Sequence, residues 1–301
     1  MFDLTFLGTS ASLPSAERNQ PGLLVESGSH RILVDCGEGT QRQLLRSGAG
    51  FRRLDRILLT HGHFDHVLGI PGLVSTLRLR QSDNLMKIHG SPSTLDIVIQ
   101  MLAGVWGKGR APIPLELVPL VTGQVLDAGD FSIACFPVRH RQTDSFGFSF
   151  ESPARRHVRP DRLAALRVPD GPVRKELAEG RPVMLPDGRT VHPEEVLGPP
   201  QGCKKLVVVG DSETTNGMAE HVRDADLLVI EATFLDRDLA IARDYGHLTS
   251  AEAAALAASS NVKLLVLTHI SGRYSDVEVL AEATERFPNS RVASDFDHIV
   301  I

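Results

Sequence analysis

The chain has 301 residues, 42% apolar and 23% charged, with a formal net charge of −5; it is long enough to bury a sizeable core and has an ordinary globular composition. No run approaches the roughly 18 apolar residues of a membrane span, the overall charge does not recruit nucleic acid, and 5% aromatics argue against a stacking platform for single strands. Three cysteines, Cys36, Cys135 and Cys203, form no Cys-x-x-Cys pair and fit a reducing, cytoplasmic setting rather than a disulfide framework.

The opening, Met1-Phe-Asp-Leu-Thr-Phe-Leu, has no basic leader and reads as a first strand rather than a signal peptide. Gly22 to Glu26 and Arg31 to Asp35 flank Ser27-Gly-Ser as a hairpin. A short helix is predicted from Glu38 to Arg46, closed by Ser47-Gly48. Arg56 to Leu59 reads as a strand, Pro71 to Leu79 as a helix, Lys87 to His89 as a strand, and Pro92 to Leu102 as a helix with Pro in its first turn. Phe131 to Val138 and Phe146 to Phe150 read as a strand pair.

The texture then changes. Residues 152–202 are rich in proline, basic and weakly periodic, with a brief helix at Asp161 to Arg167 and a turn at Pro169-Asp-Gly-Pro172. Regular structure resumes with strands at Lys205 to Val209, Asp226 to Glu231 and Val262 to Leu267, and helices at Ser250 to Ala258 and Val277 to Phe287. Arg291 to Ala293 and His298 to Ile301 close the chain as strands. The alternation predicts an α/β layered domain over residues 1–301, with 152–202 as an inserted arm.

His61-Gly-His63-Phe-Asp65-His66 carries the strongest chemical signal. Imidazole and carboxylate suit zinc or a similar divalent ion. His61 and His63 can aim at one point and Asp65 and His66, after a bend, at a second. His140, Asp211 and His269 each follow an apolar strand. Alone, His140 reads as a loop histidine and Asp211 as a turn; jointly, at strand ends where α/β sites gather, they can converge.

These segments resemble the metallo-β-lactamase superfamily and, within it, the ribonuclease Z family, which trims the 3′ end of precursor tRNA. The resemblance spans nearly the whole chain. It rests on Leu7-Gly-Thr-Ser-Ala-Ser-Leu-Pro14 with Arg18-Asn19, on Asp35-Cys-Gly-Glu-Gly-Thr-Gln41, and on Asp65-His66 running to Gly69-Ile-Pro-Gly-Leu73. Ser145-Phe-Gly-Phe148, Gly210-Asp-Ser212, Glu231-Ala-Thr-Phe234, Gly246-His-Leu-Thr249 and Thr268-His-Ile-Ser-Gly-Arg-Tyr274 follow in the family's order. Gly62 and Phe64 stand where Leu- and Gly-like residues are usual, Ile230 where a His is frequent, and Gly272 where a small or polar residue is usual.

The resemblance implies an αββα sandwich of two mixed sheets with outer helices. It implies two zinc ions, manganese or iron suiting the same donors. One would be held by His61, His63, His140 and Asp211, the other by Asp65, His66, Asp211 and His269, with Asp211 bridging. Asp65 would take the proton of the attacking water, and His247, paired with Glu231, would assist the leaving oxygen.

From Arg155 to Lys175 seven cations (Arg155, Arg156, Arg159, Arg162, Arg167, Arg174, Lys175) face two acids (Asp161, Asp170), a local charge of +5. On charge alone this is a solvated loop. Leu166-Arg-Val-Pro-Asp-Gly-Pro-Val173, followed by Leu177-Ala-Glu-Gly180, resembles the family's tRNA-gripping arm. The resemblance then makes Arg155, Arg156, Arg159, Arg174 and Lys175 phosphate contacts, and places tRNA across a homodimer. A phosphodiesterase acting on a small molecule such as a cyclic nucleotide could use the same site; an arm without affinity for RNA would favour it.

Overall fold

Two periodicities in the apolar residues build four layers. Along the 204–209 strand, Leu206 and Val208 enter one core while Val207 and Val209 enter another. Ile32 and Val34 face the first of these cores, and Leu33 between them faces a third. Strands buried on both faces lie between layers.

The computed structural model describes residues 1–81, 83–109, 112–154, 156–199 and 202–301. In chain order the elements begin with β1 (Asp3–Gly8), β2 (Gly22–Ser27), β3 (His30–Val34), α1 (Thr40–Arg46) and β4 (Leu54–Leu58). Next come α2 (Phe64–Val67), α3 (Gly69–Leu79), β5 (Met86–Gly90), α4 (Pro92–Trp106) and β6 (Leu115–Pro119). β7 (Gly123–Asp127), β8 (Ser132–His140) and β9 (Thr143–Ser152) follow, then α5 (Pro160–Ala165), α6 (Pro172–Ala178), β10 (Val183–Met184), β11 (Thr190–Val191) and α7 (Pro193–Val196). The chain continues through β12 (Lys204–Val209), α8 (Ala219–Val222), β13 (Leu227–Glu231), α9 (Leu239–Tyr245) and α10 (Ser250–Ser259). It ends with β14 (Leu265–Thr268), α11 (Asp276–Arg286), β15 (Ser290–Val292) and β16 (His298–Val300).

One seven-stranded sheet has the order β16-β1-β2-β3-β4-β5-β6 and the other β15-β14-β13-β12-β9-β8-β7. Both mix parallel and antiparallel pairs. Their inner faces share a core in which the Phe2 ring meets Phe131 edge-on at 5.7 Å. On the outer face of the first sheet, Leu44, Leu73, Val74 and Val98 bring α1, α3 and α4 onto Leu33 and Ile57. On the outer face of the second, Ala253, Ala257, Val279 and Ala283 bring α10 and α11 onto Leu228 and Leu265. This is the expected αββα sandwich.

The chain divides into two compact units, Met1–Glu151 with Lys205–Ile301, and Ser152–Lys204. The second has its own small core of Leu163, Val168, Leu177, Leu185, Val191 and Val196. Among the described residues no helix is long and apolar enough to cross a membrane.

Local differences from the sequence reading have physical causes. The helix expected from Glu38 begins at Thr40, because Gly39 sits at φ 77°. The strand expected from Val262 begins at Leu265, since the Val262 N–H still closes the end of α10 on the Ala257 carbonyl. Pro172, read as the end of a turn, is the first residue of α6. β6, β7 and α9 were not expected; β6 and β7 are half-exposed strands with little apolar contrast.

The loop after β3 locks the loop after β4 in place. Cys36 N–H donates to the His66 carbonyl at 2.8 Å, and Gly69 N–H to the Cys36 carbonyl at 2.9 Å. A Cβ on Gly69 would stand 2.0 Å from the Gly37 carbonyl oxygen, so backbone would have to move. Gly69→Ala is therefore expected to lower unfolding free energy by about 3 kcal/mol. Gly104→Ala, in open space on α4, should raise it by about 0.5–1 kcal/mol. Urea unfolding of both variants checks the pair; equal effects would contradict this account of the loop contact.

Candidate metal centre

The sequence-predicted residues converge from five strand ends. His61, His63, Asp65 and His66 follow β4, His140 ends β8, Asp211 follows β12, Glu231 ends β13 and His269 follows β14. Asp35 and His269, just beyond their strands, hold φ of 58° and 56°, a conformation that residues with a Cβ adopt at a cost.

Two groups of donors form around one carboxylate. His61, His63, His140 and Asp211 offer ligand atoms within 4.8 Å of one another, and so do Asp65, His66, Asp211 and His269. Asp211 Oδ2 lies 3.7 Å from His61 Nε2 and 3.8 Å from His140 Nε2. Its Oδ1 lies 3.4 Å from His66 Nε2 and 3.3 Å from His269 Nε2. Asp65 Oδ2 completes the second group at 3.5 Å from His66 Nε2 and 3.4 Å from His269 Nε2. Donors about 2.1 Å from a tetrahedral cation stand roughly 3.4 Å apart, so these spacings fit two cations sharing Asp211.

Each ring is aimed by a bond at its far nitrogen. His66 Nδ1 donates to Asp35 Oδ2 at 2.8 Å. His61 Nδ1 donates to Thr60 Oγ1 at 3.0 Å, and that hydroxyl donates to Asp35 Oδ2 at 2.8 Å. His140 Nδ1 donates to the Gly246 carbonyl at 2.7 Å. His269 Nδ1 donates to Thr233 Oγ1 at 2.9 Å, and that hydroxyl donates to Glu231 Oε2 at 2.5 Å. The Nε2 lone pairs of these four rings therefore turn inward. His63 is reversed, its Nδ1 standing 3.2 Å from His140 Nε2, as two lone pairs directed at a common point would.

The fit to metal also shows in what is left unbonded. His61 Nε2, His66 Nε2 and Asp211 Oδ1 are buried and have no hydrogen-bond partner among the described residues. Burial alone would raise the pKa of Asp211, but the imidazoles of His269 and His66 outweigh it and hold the carboxyl well below the usual range. Asp65 is likewise lowered, against its burial, by His66 and His269. Carboxylates that neighbouring positive charge keeps ionised, beside imidazole nitrogens with no other partner, suit divalent cations.

His247 stands beside this centre without joining either group. Its Nδ1 donates to Glu231 Oε1 at 3.0 Å, and Glu231 also accepts the Ser212 N–H at 2.6 Å. Burial lowers the His247 pKa, but the Glu231 charge and hydrogen bond reverse this and lift it to about 9. Ile230 is packed in the helix-side core, so its departure from the family pattern does not disturb the pair. A Cβ on Gly62 would stand 2.9 Å from Ile97 Cδ1, the end of a side chain that can move aside.

The predicted arm cations lie in the Ser152–Lys204 unit, and Arg155 lies outside the described residues. Arg156 Nε donates to the Gly198 carbonyl at 2.8 Å, Arg159 pairs with Asp161 at 2.7 Å, Arg174 with Asp170 at 2.5 Å and Lys175 with Glu179 at 3.8 Å. The exposed ion pairs of Arg159, Arg174 and Lys175 contribute little to stability.

Sequence reasoning assigned no task to Asp35, Thr60 or Thr233. The available signal was a carboxylate or hydroxyl at the end of a buried strand, the position the ligands themselves occupy. Asp35→Asn would put an amide against the His66 N–H. It is expected to weaken binding at the Asp65, His66, Asp211 and His269 position about 10- to 100-fold, measured by chelator competition; unchanged affinity would contradict the orienting role.

The family described as Anti-Pycsar protein Apyc1 matches residues 2–157, and the beta-lactamase superfamily domain matches residues 180–270. A ribonuclease Z of Bradyrhizobium diazoefficiens is 74% identical over 301 residues, covering 100% of both chains. A ribonuclease Z of Archaeoglobus fulgidus is 37% identical over 300 residues, covering 98% of this chain and 96% of that one. The crystal structure of human tRNase Z, short form, superposes with a TM-score of 0.69 at 26% identity, covering 99% of each chain.

Proposed function

The chain belongs to the ribonuclease Z family, and on that premise we propose that it is a zinc-dependent endoribonuclease that removes the 3′ trailer of precursor tRNA. The observation that carries the reading is the sharing of Asp211 between two donor groups, with the His247–Glu231 pair at their side. His61, His63, His140 and Asp211 would hold one zinc, and Asp65, His66, Asp211 and His269 the other; manganese or iron suits the same donors. When bound, such cations lower the pKa of water and offset charge on phosphate oxygens.

The chain's own residues do the rest. Asp65, whose side chain keeps 12% exposure, receives the proton of the attacking water. The water oxygen bonds to phosphorus as the bond to the 3′ oxygen breaks. His247, held at Nδ1 by Glu231, presents Nε2 and gives that oxygen its proton. Glu231, bonded at Nδ1, favours the protonated imidazole that this role needs. The products are a tRNA ending in a 3′ hydroxyl and a trailer beginning with a 5′ phosphate.

The Ser152–Lys204 unit is read as the inserted arm, with Arg155, Arg156, Arg159, Arg174 and Lys175 on tRNA phosphates. Its placement on a tRNA held across a homodimer, in the cytoplasm, follows from the family resemblance.

The test is cleavage of a precursor tRNA carrying a 3′ trailer by metal-loaded protein, beside Asp65→Ala. One cut near the acceptor end is expected, slowed by at least about 100-fold in the variant, and weakening steeply as salt rises from 50 to 200 mM. Hydrolysis of simple phosphodiesters without any cut in the tRNA would overturn the assignment in favour of a small-molecule phosphodiesterase.

A further inference from the structure

A second pocket lies at the opposite end of the first sheet from the metal centre. β3, β4 and β5 run parallel, and His61 to His66 follow the far end of β4. The pocket, of about 490 Å³, opens where β4 and β5 begin, beside the turn between β2 and β3. Its volume is within the range of small-molecule sites. Three cations, Arg53, Arg56 and Lys87, line it against one acid, Asp55.

The sheet register sets two of those cations side by side. Arg56 and Lys87 are paired directly across β4 and β5, and like charges so placed repel. Lys87 has relief on its other side: β6 pairs Glu116 with it, and the ammonium stands 2.8 Å from that carboxylate. Arg56 has none. Among the described residues this half-buried guanidinium makes no ion pair; its Nη1 donates to His89 Nε2 at 3.0 Å, and its Nε is buried without a partner. His89 supplies an acceptor but no charge, because burial, Arg56 and Lys87 lower its pKa to about 4. Asp55 does not neutralise Arg56 either: its Oδ1 is buried without a hydrogen-bond partner among the described residues.

A half-buried cation with no counter-charge, beside a second cation, is unfavourable in the bare protein. An anion in the pocket reverses this. Two adjacent cations, with the exposed Arg53 as a third, match a doubly charged group better than a singly charged one. A concave site with a half-buried cation also admits the end of a molecule more readily than its middle. An RNA phosphodiester carries one charge and has chain on both sides; a phosphate monoester carries two and is terminal. Ser29 and Asn84 add hydrogen-bonding groups, and Leu85, 44% exposed, adds an apolar wall for an organic part.

We propose that this pocket binds the terminal phosphate of a small organic phosphate, held by Arg56 and Lys87 with Arg53 beside them. The pocket's chemistry is independent of what the metal centre cuts.

Methyl phosphate and dimethyl phosphate test it at about pH 7.5, where the first is largely a dianion and the second a monoanion. Each is titrated into the zinc-loaded full chain at constant ionic strength, and the Arg56 Nε–H signal, assigned by its loss in Arg56→Lys, is followed by NMR. That signal reports on this pocket, whatever binds at the metal centre. Methyl phosphate is expected to shift it saturably and to bind at least about tenfold more tightly than dimethyl phosphate. Lys87→Gln, at a side chain 36% exposed, should weaken methyl phosphate about tenfold. No saturable shift with methyl phosphate overturns the site, and so does an affinity unchanged in Lys87→Gln. Equal affinity for the two probes overturns the terminal-phosphate assignment and points instead to an RNA backbone.

Discussion

One buried carboxylate sets the terms for the rest of the molecule. Asp211 faces imidazole nitrogens through both of its oxygens, with Oδ1 and two of those nitrogens lacking any hydrogen-bond partner among the described residues. Such an arrangement is costly as bare protein, since buried polar atoms without partners lose the water they would otherwise bind. It becomes favourable when cations fill the two gaps. The centre is thus built for occupancy, and the sandwich around it supplies the rigidity that holds the donors in place.

That rigidity can be traced bond by bond. The ligands sit where buried strands end, so their backbones are anchored by sheet hydrogen bonds and their side chains reach beyond the edge. Asp35 then fixes His66 directly and His61 through Thr60, while Thr233 joins His269 to Glu231 and so to His247. Thr233 therefore ties His269 to the His247–Glu231 pair, and a disturbance at Thr233 would be felt in both.

Much of this was legible in the sequence because it is local. The His61 to His66 run announces metal chemistry on its own, and the apolar runs before His140, Asp211 and His269 mark them as strand ends. What could not be read was the orientation of the His66, His269 and His140 rings, which depends on partners 31, 36 and 106 residues away: Asp35, Thr233 and the Gly246 carbonyl. β6 and β7 escaped for a different reason: half-exposed strands with mixed residues give no clear period.

The claim that Asp211 serves two cations at once is open to one direct measurement, anomalous diffraction at the zinc edge from crystals of the zinc-loaded protein. The account predicts two peaks, one on each side of the Asp211 carboxylate, the first among His61, His63 and His140 and the second among Asp65, His66 and His269. A single peak at full loading, or a second peak away from Asp211, would contradict it.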